Sequence, residues 1–178
     1  MGKFDNQVII VTGAASGLGR HYATRLAAEG ALLTIADVDD CSKTVDLCEA
    51  AGAEVQSMRI DVSSEEDTLQ MAKHTYDHYG RIAGLLNNAG IPTKRGQEVS
   101  TILDVDMAMW DRVFAVNTRG TFLGIRAVYP YMRAQRSGTI VNVSSGSTLR
   151  ISRAPDAINA QYVASKSAII GITRSVAR

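Results

Sequence analysis

The chain has 178 residues, of which 46% are hydrophobic and 21% charged, proportions that are ordinary for a globular protein with one substantial core. Nineteen Lys and Arg residues balance 18 Asp and Glu residues, so the net charge of +1 gives no reason to expect nucleic acid or an anionic membrane as a partner. The first apolar run is too short for a signal peptide or a membrane span, and the two cysteines form no metal or disulfide pattern, so we expect reduced thiols and a cytoplasmic location.

Short apolar runs alternate along the chain with longer amphipathic stretches. In chain order we predict a strand at 7–12, a helix at 17–30, a strand at 32–37, a helix at 41–51, a strand at 54–62, a helix from the capping signature at 63–66, a strand at 81–90, helices at 107–116 and 118–136, a strand at 138–145 and a helix from 160. This alternation indicates an α/β fold with a doubly wound parallel sheet of the Rossmann type, in three layers, as a single domain over residues 1–178.

A glycine-rich turn follows the first predicted strand and opens the first predicted helix. It reads Thr12-Gly-Ala-Ala-Ser-Gly-Leu-Gly19. Glycines at such a turn let the backbone approach a pyrophosphate closely, and the helix N-terminus supplies free N–H groups to bind it. The absence of a Gly-Lys-Ser/Thr sequence excludes a P-loop, and the context favours dinucleotide binding over a plain tight turn.

Asp37 ends the second predicted strand, 18 positions after Gly19. A carboxylate there is suited to accept hydrogen bonds from the hydroxyls of an adenosine ribose. It would also repel a 2′-phosphate, and neither Ser16 nor Val38 offers a cation to bind one. The sequence therefore predicts NAD rather than NADP as the cofactor.

The spacing T-G-x-x-x-G-x-G resembles the short-chain dehydrogenase/reductase family in its ordinary, non-extended form. Further motifs of that family follow in order: Asp61-Val62, Asn87-Asn88-Ala89-Gly90, Asn117, Ser144-Ser145, and Tyr162 with Lys166 in a Y-x-x-x-K pattern. The resemblance implies a cofactor site made of Gly13, Ser16, Gly17, Leu18, Gly19, Asp37, Asp61, Val62, Asn88, Ala89, Gly90, Tyr162 and Lys166.

Tyr162 and Lys166 lie one helical turn apart, on one face of the last predicted helix. A tyrosine pKa must fall by about three units, or about 4 kcal/mol, to make the phenol a base near neutral pH. A cation at roughly 5 Å contributes about 3 kcal/mol toward that shift at an effective dielectric constant near 20. Tyr162 is therefore a candidate general base toward an alcohol, or general acid toward a ketone.

The family resemblance implies the remaining catalytic roles. Ser145 would hydrogen-bond the substrate oxygen, with Ser144 in its place if the register is shifted by one. Lys166 would also bind the nicotinamide ribose, and Asn117 would anchor a water that relays the proton to solvent. We expect an NAD-dependent oxidoreductase that interconverts a secondary alcohol and a ketone, with a non-catalytic dinucleotide-binding protein or an inactive fragment as the alternatives. A small-molecule substrate and a homodimer or homotetramer are expected.

Two departures from the family stand out. The segment between Ser145 and Tyr162 is longer than usual and carries Arg150, Arg153 and Asp156, so it either shapes substrate choice or is a neutral surface insertion. Family members also usually continue past this point, so we expect the last strands of the family fold to be missing and GTIVNVS to lie at an exposed sheet edge. No metal site is predicted, because His74 and His78 have no third ligand nearby.

Overall fold

In a computed structural model, the described residues are 2–92, 102–149 and 159–177, and their strands and helices alternate. The strands are β1 (Val8–Thr12), β2 (Leu32–Asp37), β3 (Val55–Arg59), β4 (Gly84–Asn87) and β5 (Thr139–Asn142). The α-helices are α1 (Gly17–Ala28), α2 (Ser42–Ala50), α3 (Glu65–Tyr79), α4 (Met107–Phe114), α5 (Gly120–Gln135) and α6 (Ala160–Val176). Short 3₁₀ helices span Ile102–Asp104 and Gly146–Leu149.

The five strands form one parallel sheet in the order β3-β2-β1-β4-β5. The direction of winding reverses between β1 and β4, which creates a crevice at the carboxyl ends of these two strands. The predicted doubly wound, Rossmann-type fold is confirmed. Within the described part of the chain, β5 lies at a sheet edge and pairs with β4, and Val141 on this strand is 52% exposed.

Hydrophobic side chains cover the sheet on both faces, because successive residues of a buried strand point to opposite sides. Ile10 packs into a core with residues of α3 and α5 such as Met71 and Val128. Its neighbours Ile9 and Val11 pack into a second core, to which α1 and α2 contribute. Both cysteines lie buried in this second core as free thiols, and burial raises the pKa of Cys41 to about 11. These thiols are therefore structural.

Two local differences from the predicted elements affect the site. Residues 107–135 form one helical run rather than two helices, because a π-helical turn at Ala115–Arg119 joins α4 to α5. β3 ends at Arg59, since the next residues form a turn in which Ser63 donates to Asp61. Helix α3 begins within the predicted capping signature, with Ser64 as its cap, whose hydroxyl accepts the Asp67 N–H. Arg150, Arg153 and Asp156 lie outside the described residues.

No helix in residues 2–92, 102–149 or 159–177 is long and apolar enough to cross a membrane. Across the same residues, no group of three or more His, Cys, Asp and Glu side chains is arranged to hold a metal ion. His78 instead contacts Glu54, with 2.9 Å between its Nε2 and the Glu54 Oε1 at an exposed position.

Candidate active site

A cleft of about 630 Å³ opens at the carboxyl ends of the strands. Its size is in the range of small-molecule and cofactor sites. Ser144 and Ser145 line this cleft together with all thirteen residues of the predicted cofactor site. Those thirteen are Gly13, Ser16, Gly17, Leu18, Gly19, Asp37, Asp61, Val62, Asn88, Ala89, Gly90, Tyr162 and Lys166. Asn117 is the one predicted residue that does not line the cleft.

The glycine loop packs so closely that side chains are excluded at two positions. Gly13 has φ +69°, and a Cβ there would lie 2.7 Å from the Cα of Ala89. A Cβ on Gly19 would lie 1.9 Å from the carbonyl oxygen of Gly13. Helix α1 then begins at Gly17, and the Ser16 side chain makes no capping hydrogen bond to it. The first-turn N–H groups of α1 are thus open to an anion in the cleft.

Side chains behind the glycine loop fix the direction of its peptide groups. The buried Thr44 hydroxyl donates to the Ala14 carbonyl at 2.8 Å and accepts from Arg20 Nε at 3.1 Å. The Arg20 guanidinium also donates to the Ala15 carbonyl. Thr44 is a positioning residue that the sequence did not reveal, because it lies 30 residues away on α2 without a motif of its own.

Asp37 has two contacts in this region. Its Oδ2 accepts the Ala15 N–H at 2.8 Å, and its Oδ1 accepts the Asp39 N–H at 3.1 Å. The carboxylate therefore orders the glycine loop as well as presenting negative charge to the cleft. Arg59 is the register partner of Asp37 on β3, and its Nε donates to the Val38 carbonyl at 3.1 Å. A cation thus stands near Asp37, although neither Ser16 nor Val38 provides one.

Asn88 joins the turn after β4 to the turn after β1. Its Nδ2 donates to the carbonyls of Thr12 and Gly13, at 3.0 and 3.2 Å. In return, the Thr12 hydroxyl accepts the backbone N–H groups of Asn88 and Ala89, both at 3.1 Å. The Asn88 side chain is therefore committed to holding two cleft-forming turns together. Thr12, which belongs to the glycine motif but was not predicted as a site residue, is its partner.

Asp61 and Arg112 form a charged pair at another part of the cleft. Both guanidinium nitrogens Nη1 and Nη2 of Arg112 lie 3.4 Å from Asp61 Oδ2, while Ser63 donates twice to Oδ1. Burial by itself would raise the pKa of Asp61, but the hydrogen bonds from Ser63 and the charge of Arg112 outweigh it and lower the pKa. Arg112 lines the cleft without having been predicted, since α4 carries no motif that marks it.

Tyr162 and Lys166 lie on α6 at the end of the cleft beside β5. Lys166 is only 4% exposed, and its Nζ donates to the Val143 carbonyl at 2.9 Å. Burial lowers the pKa of this ammonium. Gly90 faces the same group, and a Cβ at Gly90 would come within 3.0 Å of Lys166 Nζ. The turn after β4 therefore leaves just enough room for the lysine.

The two serines after β5 have different partners. The Ser144 hydroxyl donates to the Lys166 carbonyl at 2.8 Å and so ties the end of β5 to α6. The Ser145 hydroxyl instead lies 2.9 Å from the hydroxyl of Ser147 and accepts its backbone N–H at 3.2 Å. Because Ser144 uses its proton within the fold, Ser145 is the better placed of the two to donate to a ligand.

Asn117 lies in the π-helical turn and is fully buried. Its Oδ1 accepts the Ile91 N–H at 2.8 Å, and its Nδ2 donates to the Ile91 carbonyl at 3.1 Å and to Ser165 Oγ at 3.0 Å. Both amide hydrogens are thus bonded within the protein. The side chain fixes the wall of the cleft beside Lys166 and has no hydrogen left to donate to a water.

The chain belongs to the short chain dehydrogenase family, whose sequence model matches residues 7–178. Levodione reductase of Leifsonia aquatica is 39% identical over 181 residues, which are 98% of this chain and 64% of the relative. Cyclopentanol dehydrogenase of a Comamonas species is 35% identical over 179 residues, which are 99% of this chain and 68% of the relative. The sex determination protein tasselseed-2 of Zea mays is 36% identical, with 98% of this chain and 51% of the relative covered.

Solved structures of the same family superpose closely. The crystal structure of levodione reductase matches 97% of this chain and 66% of its own with a TM-score of 0.84 at 37% identity. That of NAD⁺-bound xylitol dehydrogenase matches 98% of this chain and 65% of its own with a TM-score of 0.89 at 32% identity. The chain therefore spans about two thirds of the length of these proteins.

Proposed function

We propose that the chain is the dinucleotide-binding and catalytic part of an NAD-dependent oxidoreductase that interconverts a secondary alcohol and a ketone. The observation that carries the proposal is that Ser145, Tyr162 and Lys166 line the same cleft as the glycine loop and Asp37. The cofactor and the reacting groups would then meet in one cavity.

Groups suited to each part of a nicotinamide dinucleotide line the cleft. The uncapped N-terminus of α1 and the side-chain-free surface of Gly13 and Gly19 suit a pyrophosphate. Asp37 would accept the hydroxyls of the adenosine ribose and Asp61 would border the adenine. The related structure of xylitol dehydrogenase is NAD⁺-bound, which supports the same cofactor for this chain. When bound, the cofactor supplies the hydride acceptor or donor.

The protein side chains would manage the proton and the oxygen of the substrate. In alcohol oxidation Tyr162 would accept the proton of the substrate hydroxyl, and in ketone reduction it would donate a proton to the substrate oxygen. Lys166 lines the same cleft one helical turn after Tyr162, and its charge would assist this proton transfer. Ser145 donates a hydrogen bond to the substrate oxygen, where negative charge develops. Asn117 keeps the backbone of Ile91 and the side chain of Ser165 in place around this centre.

The test is to follow NADH absorbance with a panel of secondary alcohols that includes cyclopentanol and xylitol, compounds named for two relatives. The 178-residue chain is compared with any longer product of its gene. Tyr162→Phe should lower turnover by about 10²- to 10⁴-fold and leave NAD affinity nearly unchanged. Tyr129→Phe, at a position 55% exposed on α5, is the matched control and should react at the normal rate.

The alternatives give distinct results in the same experiment. A non-catalytic dinucleotide-binding protein would bind NAD and turn over no alcohol in any form. An inactive fragment would gain turnover only in a longer form. Turnover that survives Tyr162→Phe would remove Tyr162 from the mechanism. The cytoplasmic location, the single domain over residues 1–178 and the homodimer or homotetramer stay predictions.

A further inference from the structure

Ser147 stands directly behind the candidate substrate-binding hydroxyl of Ser145. The two hydroxyl oxygens lie 2.9 Å apart, and the Ser147 backbone N–H also donates to Ser145 Oγ at 3.2 Å. Ser147 belongs to none of the motifs described above and does not line the cleft. It therefore touches the reacting centre only through Ser145.

The direction of the hydrogen bond between these hydroxyls decides what Ser145 can do. A hydroxyl has one proton to donate and two lone pairs to accept with. The Ser147 N–H occupies one lone pair of Ser145 Oγ. If the Ser147 O–H fills the second, the proton of Ser145 can only point away from Ser147, toward the cleft. If Ser145 donates to Ser147 instead, it has no proton left for a substrate.

We propose that Ser147 is a positioning residue that turns the Ser145 hydroxyl into a hydrogen-bond donor directed at the substrate oxygen. This inference rests on the proposed function. A donor already oriented toward an oxygen on which charge develops stabilises the transition state without reorganisation. Thr148 in the same 3₁₀ turn has no such effect, because its hydroxyl donates to the Ser145 backbone carbonyl at 2.7 Å.

Ser147→Ala removes the second donor to Ser145 and frees the Ser145 hydroxyl to rotate. We expect kcat for ketone reduction to fall about 3- to 10-fold, the effect of losing one hydrogen bond, with a smaller change in KM. The loss should be greatest for ketones without electron-withdrawing substituents, whose oxygens need the most stabilisation. Ser147→Thr, which keeps a hydroxyl, should restore most of the rate.

The matched control is Thr148→Val, which disturbs the same turn but leaves the Ser145–Ser147 hydroxyl contact. It should change the melting temperature without changing the dependence of rate on the ketone substituent. A loss in Ser147→Ala that is equal for every ketone, or absent, overturns the inference, as does an equally slow Ser147→Thr variant that is folded. Lack of turnover by the unaltered protein in both the 178-residue and any longer form refutes the proposed function itself, and is seen before any variant is compared.

Discussion

Asp37 gives the sharpest test of cofactor choice, because its carboxylate both orders the glycine loop and carries the charge that would oppose a 2′-phosphate. Asp37→Asn removes the charge but keeps a side-chain oxygen that can accept the Ala15 N–H, now 2.8 Å from Oδ2. The glycine loop should therefore stay in place, while the bond from the Asp39 N–H is lost because the amide nitrogen then stands at that position. The expected change is in the affinities for NAD and NADP, because the variant loses the negative charge and the charge-assisted hydrogen bonds to the adenosine ribose.

The magnitudes follow from these contacts. Replacing charge-assisted hydrogen bonds to the ribose by neutral ones costs about 1 kcal/mol, or about fivefold in NAD affinity. Removing a carboxylate roughly 5 Å from a phosphate relieves about 1–3 kcal/mol of repulsion after allowance for solvent. Arg59, the register partner of Asp37 on β3, adds a positive charge near this position. The ratio of NAD to NADP affinity should fall by about 30-fold or more.

Isothermal titration of the chain with NAD and with NADP measures this ratio without requiring turnover. Asp39→Asn is the control, because Asp39 also borders the cleft and carries the same charge but only its backbone N–H contacts Asp37. Its ratio should change little. Equal ratios in the two variants would mean that the general field of the cleft sets the preference. A parallel loss of both cofactors would mean that Asp37 acts only through the glycine loop.

Two further outcomes test the packing around the cleft. Thr44→Val leaves the Ala14 carbonyl without its donor, so the free energy of unfolding should fall by about 1–3 kcal/mol and ADP-ribose should bind more weakly. The control Thr75→Val removes another buried hydroxyl, far from the glycine loop, and should lower stability without changing binding. Urea unfolding measures the stability of both variants and titration with ADP-ribose measures binding. Because burial lowers the pKa of Lys166 below 10.5, the unfolded chain binds more protons between the two pKa values and stability should rise with pH there. Lys166→Met removes this pH dependence together with the hydrogen bond to the Val143 carbonyl, so the stability of the unaltered protein relative to the variant should rise as pH increases toward 10.5; a pH-independent difference contradicts the assignment.

The sheet could be predicted because its strands are short, apolar and separated by stretches of helical period. Ile9, Ile10 and Val11 are all buried, with exposures of 8%, 0% and 0%, so a continuous hydrophobic run was the right signal for a strand covered on both faces. The boundary of β3 was less predictable, since Ile60 and Val62 are buried in the core although they follow the strand. The side chains stay buried after the backbone hydrogen bonds of the sheet have ended. A pattern of apolar residues indicates burial but not strand pairing, so it predicted a strand that was too long.

The residues lining the cleft were largely predictable because local motifs mark them. The residues that hold those motifs in place were not, since their contacts join segments far apart in sequence. Thr44 reaches the glycine loop from α2, and Arg112 reaches Asp61 across 51 positions. Asn117 was identified by its motif, yet the π-helical turn that buries it depends on backbone packing against α6 and leaves no local signature.

The end of the cleft that holds Tyr162 and Lys166 is anchored by hydrogen bonds from one turn of α6 to two other elements. Ser144 at the end of β5 donates to the Lys166 carbonyl, while Lys166 donates back to the Val143 carbonyl. From the opposite side, Thr118 in the π-helical turn donates to the Ser165 carbonyl at 3.1 Å. These bonds hold the backbone of Ser165 and Lys166 and the Lys166 ammonium, and so help to position the proposed proton-transfer pair, Tyr162 and Lys166. Substitutions that alter substrate preference should therefore lie outside this turn, and changes within it should affect kcat for every substrate alike.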